Sequence, residues 1–122
     1  MKLDDYRGAV KDYQLAISFH SKTRPFPRLI ILYNSLARAR ILLDDYQNAL
    51  NDLSKALQSE NDGVAVISGK EDVTDEDLAF TYYLLGFVKI NLNNKEGACQ
   101  AWSKAGELGN ADAYEKIKIN CK

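Results

Sequence analysis

Two stretches of this chain carry one pattern: LDDYRGAVKDYQLAI, from Leu3 to Ile17, and forty residues further on LDDYQNALNDLSKAL, from Leu43 to Leu57. A fainter third copy, LNNKEGACQAWSKAG, runs from Leu92 to Gly106. A motif that recurs within 122 residues restricts the fold more than composition does, because each copy must form the same local structure and find the same kind of neighbour. In each copy a stripe falls on one face of a 3.6-residue helix: Tyr6, Ala9, Tyr13 and Ala16; Tyr46, Ala49, Leu53 and Ala56; Lys95, Ala98, Trp102 and Ala105. The alanines let a neighbouring helix approach, and the large residues fill the space beside them. A second amphipathic segment precedes the later two copies, LIILYNSLARARILL and LAFTYYLLGFVKINL, and sets Ala37 or Gly86 twelve positions ahead of the repeat alanine, Ala49 or Ala98. The repeating unit is therefore a pair of helices, and the expected fold class is all-α.

Such a pair, with Leu and then a small residue in its first helix and Ala, a bulky residue and Ala in its second, resembles the tetratricopeptide repeat, whose period is about 34 residues. In the better copy Tyr82 takes the family's Trp position, Leu85-Gly86 its Leu-Gly, Ala98 its central Ala, Trp102 its aromatic and Ala105 its second Ala. The other full copy matches through Tyr33, Leu36, Ala37, Tyr46, Ala49, Leu53 and Ala56. Departures are Arg40 and Lys89 at the usual first-helix Tyr, Lys95 at the turn aromatic, and Asn61 or Asn110 at the closing Pro. The resemblance implies a half repeat at 1–21, a repeat at 29–60, an insertion at 61–75, a repeat at 76–109 and a capping helix at 110–122, stacked as a superhelix.

Spacing locates the insertions. Ala9 to Ala49 is 40 residues and Ala49 to Ala98 is 49, so against a period of about 34 there are roughly six and fifteen extra residues. The first insertion holds Pro25 and Pro27, which forbid continued helix. The second holds Gly63, Gly69 and a β-prone run from Val64 to Ile67, with a pair of very short strands around Ser68-Gly69 as one reading. Thr74 with Asp77 three residues later is a capping box opening the next helix. In the closing helix Ala111, Tyr114, Ile117 and Cys121 share one side, with Glu115, Lys116 and Lys118 elsewhere. MKLDDY aligns with ILLDDY, so the chain is expected to begin in mid-repeat, leaving Val10, Tyr13 and Ile17 with an open apolar face and a homodimer contact there.

Nothing in the chain spells out a reaction. Asp4-Asp5 and Asp44-Asp45 are adjacent pairs at helix starts, where carboxylates cap and meet the dipole. The lone His20 falls in the last turn of the first helix, and no nucleophile motif, phosphate-binding Gly loop or metal-ligand spacing accompanies it. No enzyme, metal or cofactor is expected. Sixteen Lys plus Arg against seventeen Asp plus Glu leave a net charge of −1, which gives no global attraction to nucleic acid. No apolar run approaches the roughly 18 residues of a membrane span, and the N-terminus has no apolar signal-peptide core. The compartment is left open between a cytoplasmic and an exported bacterial parent.

The resemblance instead implies a protein-binding scaffold whose first helices line a concave face. Transferring the family's groove positions selects Ile31, Asn34, Arg38 and Ile41 from one repeat and Phe80, Tyr83, Phe87 and Ile90 from the next. Asn34 and Arg38 suit one acidic group, Tyr83 and Phe87 an apolar side chain. The alternative is a structural oligomerisation module whose groove is filled by its own insertion or by another subunit. Reflecting Cys99 through the turn near Leu108-Gly109 lands about three residues from Cys121, an offset of roughly 4.5 Å along a helix. The two cysteines are thus expected to be neighbours, bridged if the parent is exported.

Overall fold

The computed structural model describes residues 3–20, 29–61 and 74–121, and over these the chain is helical. The helices are α1 (Leu3–His20), α2 (Leu29–Leu42), α3 (Tyr46–Asn61), α4 (Asp75–Asn91), α5 (Lys95–Glu107) and α6 (Ala111–Asn120). No strand occurs among the described residues, so the fold is all-α. Pro25, Pro27 and the β-prone run of the second insertion lie outside them. The chain divides into two compact units, residues 1–73 and 74–122.

In the first unit α2 packs against both α1 and α3. Ile30, Leu32, Leu36, Ala37 and Ala39 of α2 are buried, as are Ala49, Leu53 and Ala56 of α3. The repeat stripe of α3 is thus its interior face, and its alanines lose all contact with solvent. On α1 the same stripe is only half-buried, and Leu15 is 61% exposed. In the second unit α5 packs against both α4 and α6. Ala79, Leu84, Leu85 and Val88 of α4 meet an interior that includes Ala98, Ala101, Trp102 and Ala105 of α5 and Ala113 of α6.

Trp102 shows how the small and large positions cooperate. Its indole lies so close to Gly86 that a Cβ built there would come within 2.3–2.5 Å of three ring atoms. Its Nε1–H donates to the Tyr83 carbonyl oxygen at 3.2 Å, which satisfies the one polar atom of a side chain that is 1% exposed. The first unit has Ala37 and Leu53 at the same spacing of sixteen residues, both buried. Between α4 and α5 the larger Trp102 is thus matched by the smaller Gly86, the condition for close packing without strain.

The connections after α2, α4 and α5 share one geometry. Asp44 (φ 60°), Asn93 (φ 65°) and Gly109 (φ 110°) take positive φ. The following residue in each case returns its N–H to a carbonyl five residues back: Asp45 to Arg40 at 2.8 Å, Asn94 to Lys89 at 2.8 Å and Asn110 to Ala105 at 2.9 Å. The positive-φ residue closes a tighter ring to Ile41, Ile90 or Gly106. These paired bonds form the Schellman motif, which ends a helix by satisfying its last carbonyls. Its third residue also starts the next helix. Asn94 Oδ1 accepts from the Gly97 N–H at 2.9 Å and Asn110 Oδ1 from the Ala113 N–H at 3.3 Å, while the Asp45 carboxylate accepts from the Asn48 side-chain amide at 2.9 and 3.1 Å. A three-residue connection therefore folds each pair into a helical hairpin.

Thr74 opens α4 with the expected capping box: its Oγ1 accepts from the Asp77 N–H at 3.1 Å and its N–H donates to Asp77 Oδ2 at 3.3 Å. In α6 the buried residue is Ala113, whereas Ala111 is exposed and Tyr114 remains 57% exposed. The inner stripe is thus Ala113, Ile117 and Cys121 rather than one beginning at Ala111. Its phase is set by the Asn110 cap, which aims Ala113 at α5.

Candidate functional site

The sequence-selected residues fall into two sets, one in each unit. On α2, Arg38 is exposed and Ile31 and Ile41 are half-buried, but Asn34 is only 4% exposed. Asn34 is therefore an interior residue engaged within the protein, not an outward donor awaiting a carboxylate. Burial of an amide requires a partner, and only groups inside the fold can reach it. Of the two groups expected to bind an acid, Arg38 alone faces solvent.

On α4, Phe80, Tyr83, Phe87 and Ile90 are each half-buried. Tyr83 and Ile90 pack against the interior formed by Ala98, Trp102, Ala105 and Ala113. The Lys116 ammonium of α6 sits over the Phe87 ring, 5.3 Å from its centre, a cation–π contact. Burial, and after it the negative charge of Asp112, raises the Tyr83 hydroxyl above the ordinary tyrosine range. The capping helix thus covers part of the face on which the sequence placed a ligand. Beside it, an open cleft of about 520 Å³ runs between the first turns of α4 and the α5–α6 turn, lined by Glu76, Phe80, Leu108 and Asp112 among others.

One polar feature was not anticipated. Asp52 of α3 is 5% exposed, and its Oδ2 lies 3.1 Å from Arg40 Nε. Among the described residues neither atom has an aligned hydrogen-bond partner, so the contact is a close ion pair and not a linear hydrogen bond. Burial dominates and pushes the Asp52 carboxyl up to about 6, with Arg40 and Lys55 pulling down and Asp45 adding to the rise. The Asp52 charge in turn adds to the burial that raises the Tyr33 hydroxyl. A sequence signal existed: the matching position of the other repeat is Ala101, which is buried, and the partner of Arg40 there is Lys89. An aspartate where a sister repeat holds an interior alanine marks a buried charge.

Cys99 of α5 and Cys121, the C-cap of α6, form a disulfide with Cα atoms 5.9 Å apart. Among the described residues no group of three or more His, Cys, Asp or Glu is placed to hold a metal ion, and no helix is long and apolar enough to cross a membrane. No protein-family model matches the chain, and no curated protein matches it either.

Proposed function

We propose that the chain is a tetratricopeptide-like, non-catalytic module that binds a peptide or protein segment along the faces of its first helices, α2 and α4. The observation that carries this reading is the twofold hairpin: α2–α3 and α4–α5 share turn, interior stripe and the complementary pairs Ala37/Leu53 and Gly86/Trp102. Helix pairs built alike are the units of helical-repeat scaffolds, which bind partners on an extended surface. Arg38 is the charged anchor, offering a planar fork to one carboxylate. Tyr83 and Phe87 supply aromatic area for an apolar neighbour in the ligand. Each set is read within its own unit: an acidic group for Arg38, an apolar side chain for Tyr83 and Phe87.

Affinity capture from the source organism, followed by titration of the recovered partner, tests the proposal. Arg38→Ala and Tyr83→Ala should each weaken binding by about 2 kcal/mol if they are anchors, whereas Glu107→Ala on the outer side of α5 should change it little. Equal affinity of both variants and the parent would remove the first-helix faces from consideration.

A further inference from the structure

We propose that the Cys99–Cys121 disulfide is a redox-operated latch on α6, and that its reduction frees this helix from the aromatic face of α4 that holds Tyr83 and Phe87. Of the three helices in the second unit, α6 is the least well anchored. It has ten residues, buries Ala113 alone, and leaves Ile119 68% exposed and Tyr114 57% exposed. A helix this short is marginal unless something holds it. Besides the packing of Ala113 and Ile117, it is tied by the Leu108–Asn110 turn at one end and by the disulfide at the other.

The α4–α5 hairpin does not share this dependence. Trp102 fills the space over Gly86 and donates to the Tyr83 carbonyl oxygen, both within α4, and Ala98, Ala101 and Ala105 complete the seam. Cutting the bridge therefore removes the covalent tie at the far end of α6 while the hairpin keeps its own contacts. What α6 covers is specific: Lys116 lies over Phe87, and Ile117 and Cys121 pack against the same interior as Tyr83.

Cys99 borders an open depression of about 410 Å³ on the outer side of α5, lined also by Glu96, Gln100, Ser103 and Lys104. A dithiol reductant entering there attacks one sulfur as its thiolate, breaks the S–S bond and forms a mixed disulfide. Its second thiol then displaces the remaining cysteine. Two electrons and two protons end on Cys99 and Cys121, and the reductant leaves as its own disulfide.

The latch concerns α6 alone; its consequence for ligand access rests on Tyr83 and Phe87 being the binding face proposed above. The test uses no partner, so its failure is separate from a failure of binding. Hydrogen exchange is measured on the full oxidised chain, on the chain in excess dithiothreitol, and on the Cys99→Ser/Cys121→Ser variant, with hydroxyl-radical labelling of Tyr83 and Phe87 in parallel. In both bridge-free samples the amides of 113–120 should exchange at least about tenfold faster while α4 and α5 keep their protection, as expected of a local opening. Labelling of the two rings should rise about threefold with that release. Unchanged protection of α6 without the bridge would overturn the latch, and so would simultaneous loss of α4, α5 and α6, which would make the disulfide a staple for the whole unit. Release of α6 without increased labelling would overturn the uncovering of the aromatic face.

Discussion

At the scale of single residues, the pairing of Gly86 with Trp102 makes the strongest claim on the chain. Trp102 is rigid and its ring atoms, not a flexible tip, block a Cβ at position 86. Gly86→Ala should therefore destabilise the protein by about 1–3 kcal/mol through overpacking. Trp102→Leu alone should cost about as much or more by leaving a cavity. The double variant recreates the Ala37/Leu53 pair of the sister repeat, and should be more stable than the sum of the single losses predicts by at least about 1 kcal/mol. Denaturant titration of the four proteins measures this coupling, and additive losses would show that the two hairpins are not packed by one rule. Asp52 gives a second residue-scale expectation. Its native carboxyl is raised to about 6 from a value near 3.8, so the native state binds the proton more tightly than the unfolded chain does. Stability drawn from the protonated form is present below about pH 4 and lost as pH rises through about 6. That rise corresponds to a loss of at most about 3 kcal/mol. Asp52→Asn should remove that portion of the pH dependence, which unfolding titrations at pH 4 and pH 7 would show; identical slopes for parent and variant would refute the raised carboxyl.

At the scale of elements, the turns explain why one motif yields different local structure. LDDY closes a Schellman turn at Leu43–Tyr46 but lies inside α1 at Leu3–Tyr6. In the second copy the turn's bonds end on the carbonyls of Arg40 and Ile41 in the last turn of α2. In all three turns the positive-φ residue is Asp, Asn or Gly, the types that tolerate it. At φ 110° Gly109 lies beyond what a side chain accepts easily, so Gly109→Ala should cost about 1–2 kcal/mol. Asn93→Gly, at φ 65°, should be neutral or slightly stabilising. Thermal unfolding of the two variants separates these outcomes, and equal losses would contradict the turn assignment. The repeat stripe was legible beforehand because Ala49, Leu53, Ala56, Ala98, Trp102 and Ala105 combine a 3.6-residue period with alternating size. The phase of α6 was not, since its stripe is diluted by Glu115, Lys116 and Lys118 and is fixed by a cap on Asn110. Asn34 misled for a related reason: helical periodicity tells which residues share a side, but not which neighbouring helix covers that side. The same gap hid the placement of Lys116 over Phe87.

At the scale of the whole molecule, the described residues form α1, two similarly built hairpins and a bridged closing helix. Arg38 in the first unit and Tyr83 and Phe87 in the second stand on α2 and α4, the helices on which we propose that a partner binds. At a net charge of −1 the chain has no strong general field, so the proposed recognition would rest on local contacts. The most direct measurement is NMR chemical-shift mapping of the full chain with the partner recovered by affinity capture. Perturbations should concentrate on α2 around Arg38 and Ile41 and on α4 around Phe80, Tyr83 and Phe87. Perturbations confined to the outer side of α5, around Gln100, Ser103 and Glu107, with α2 and α4 unchanged, would contradict binding on the first helices.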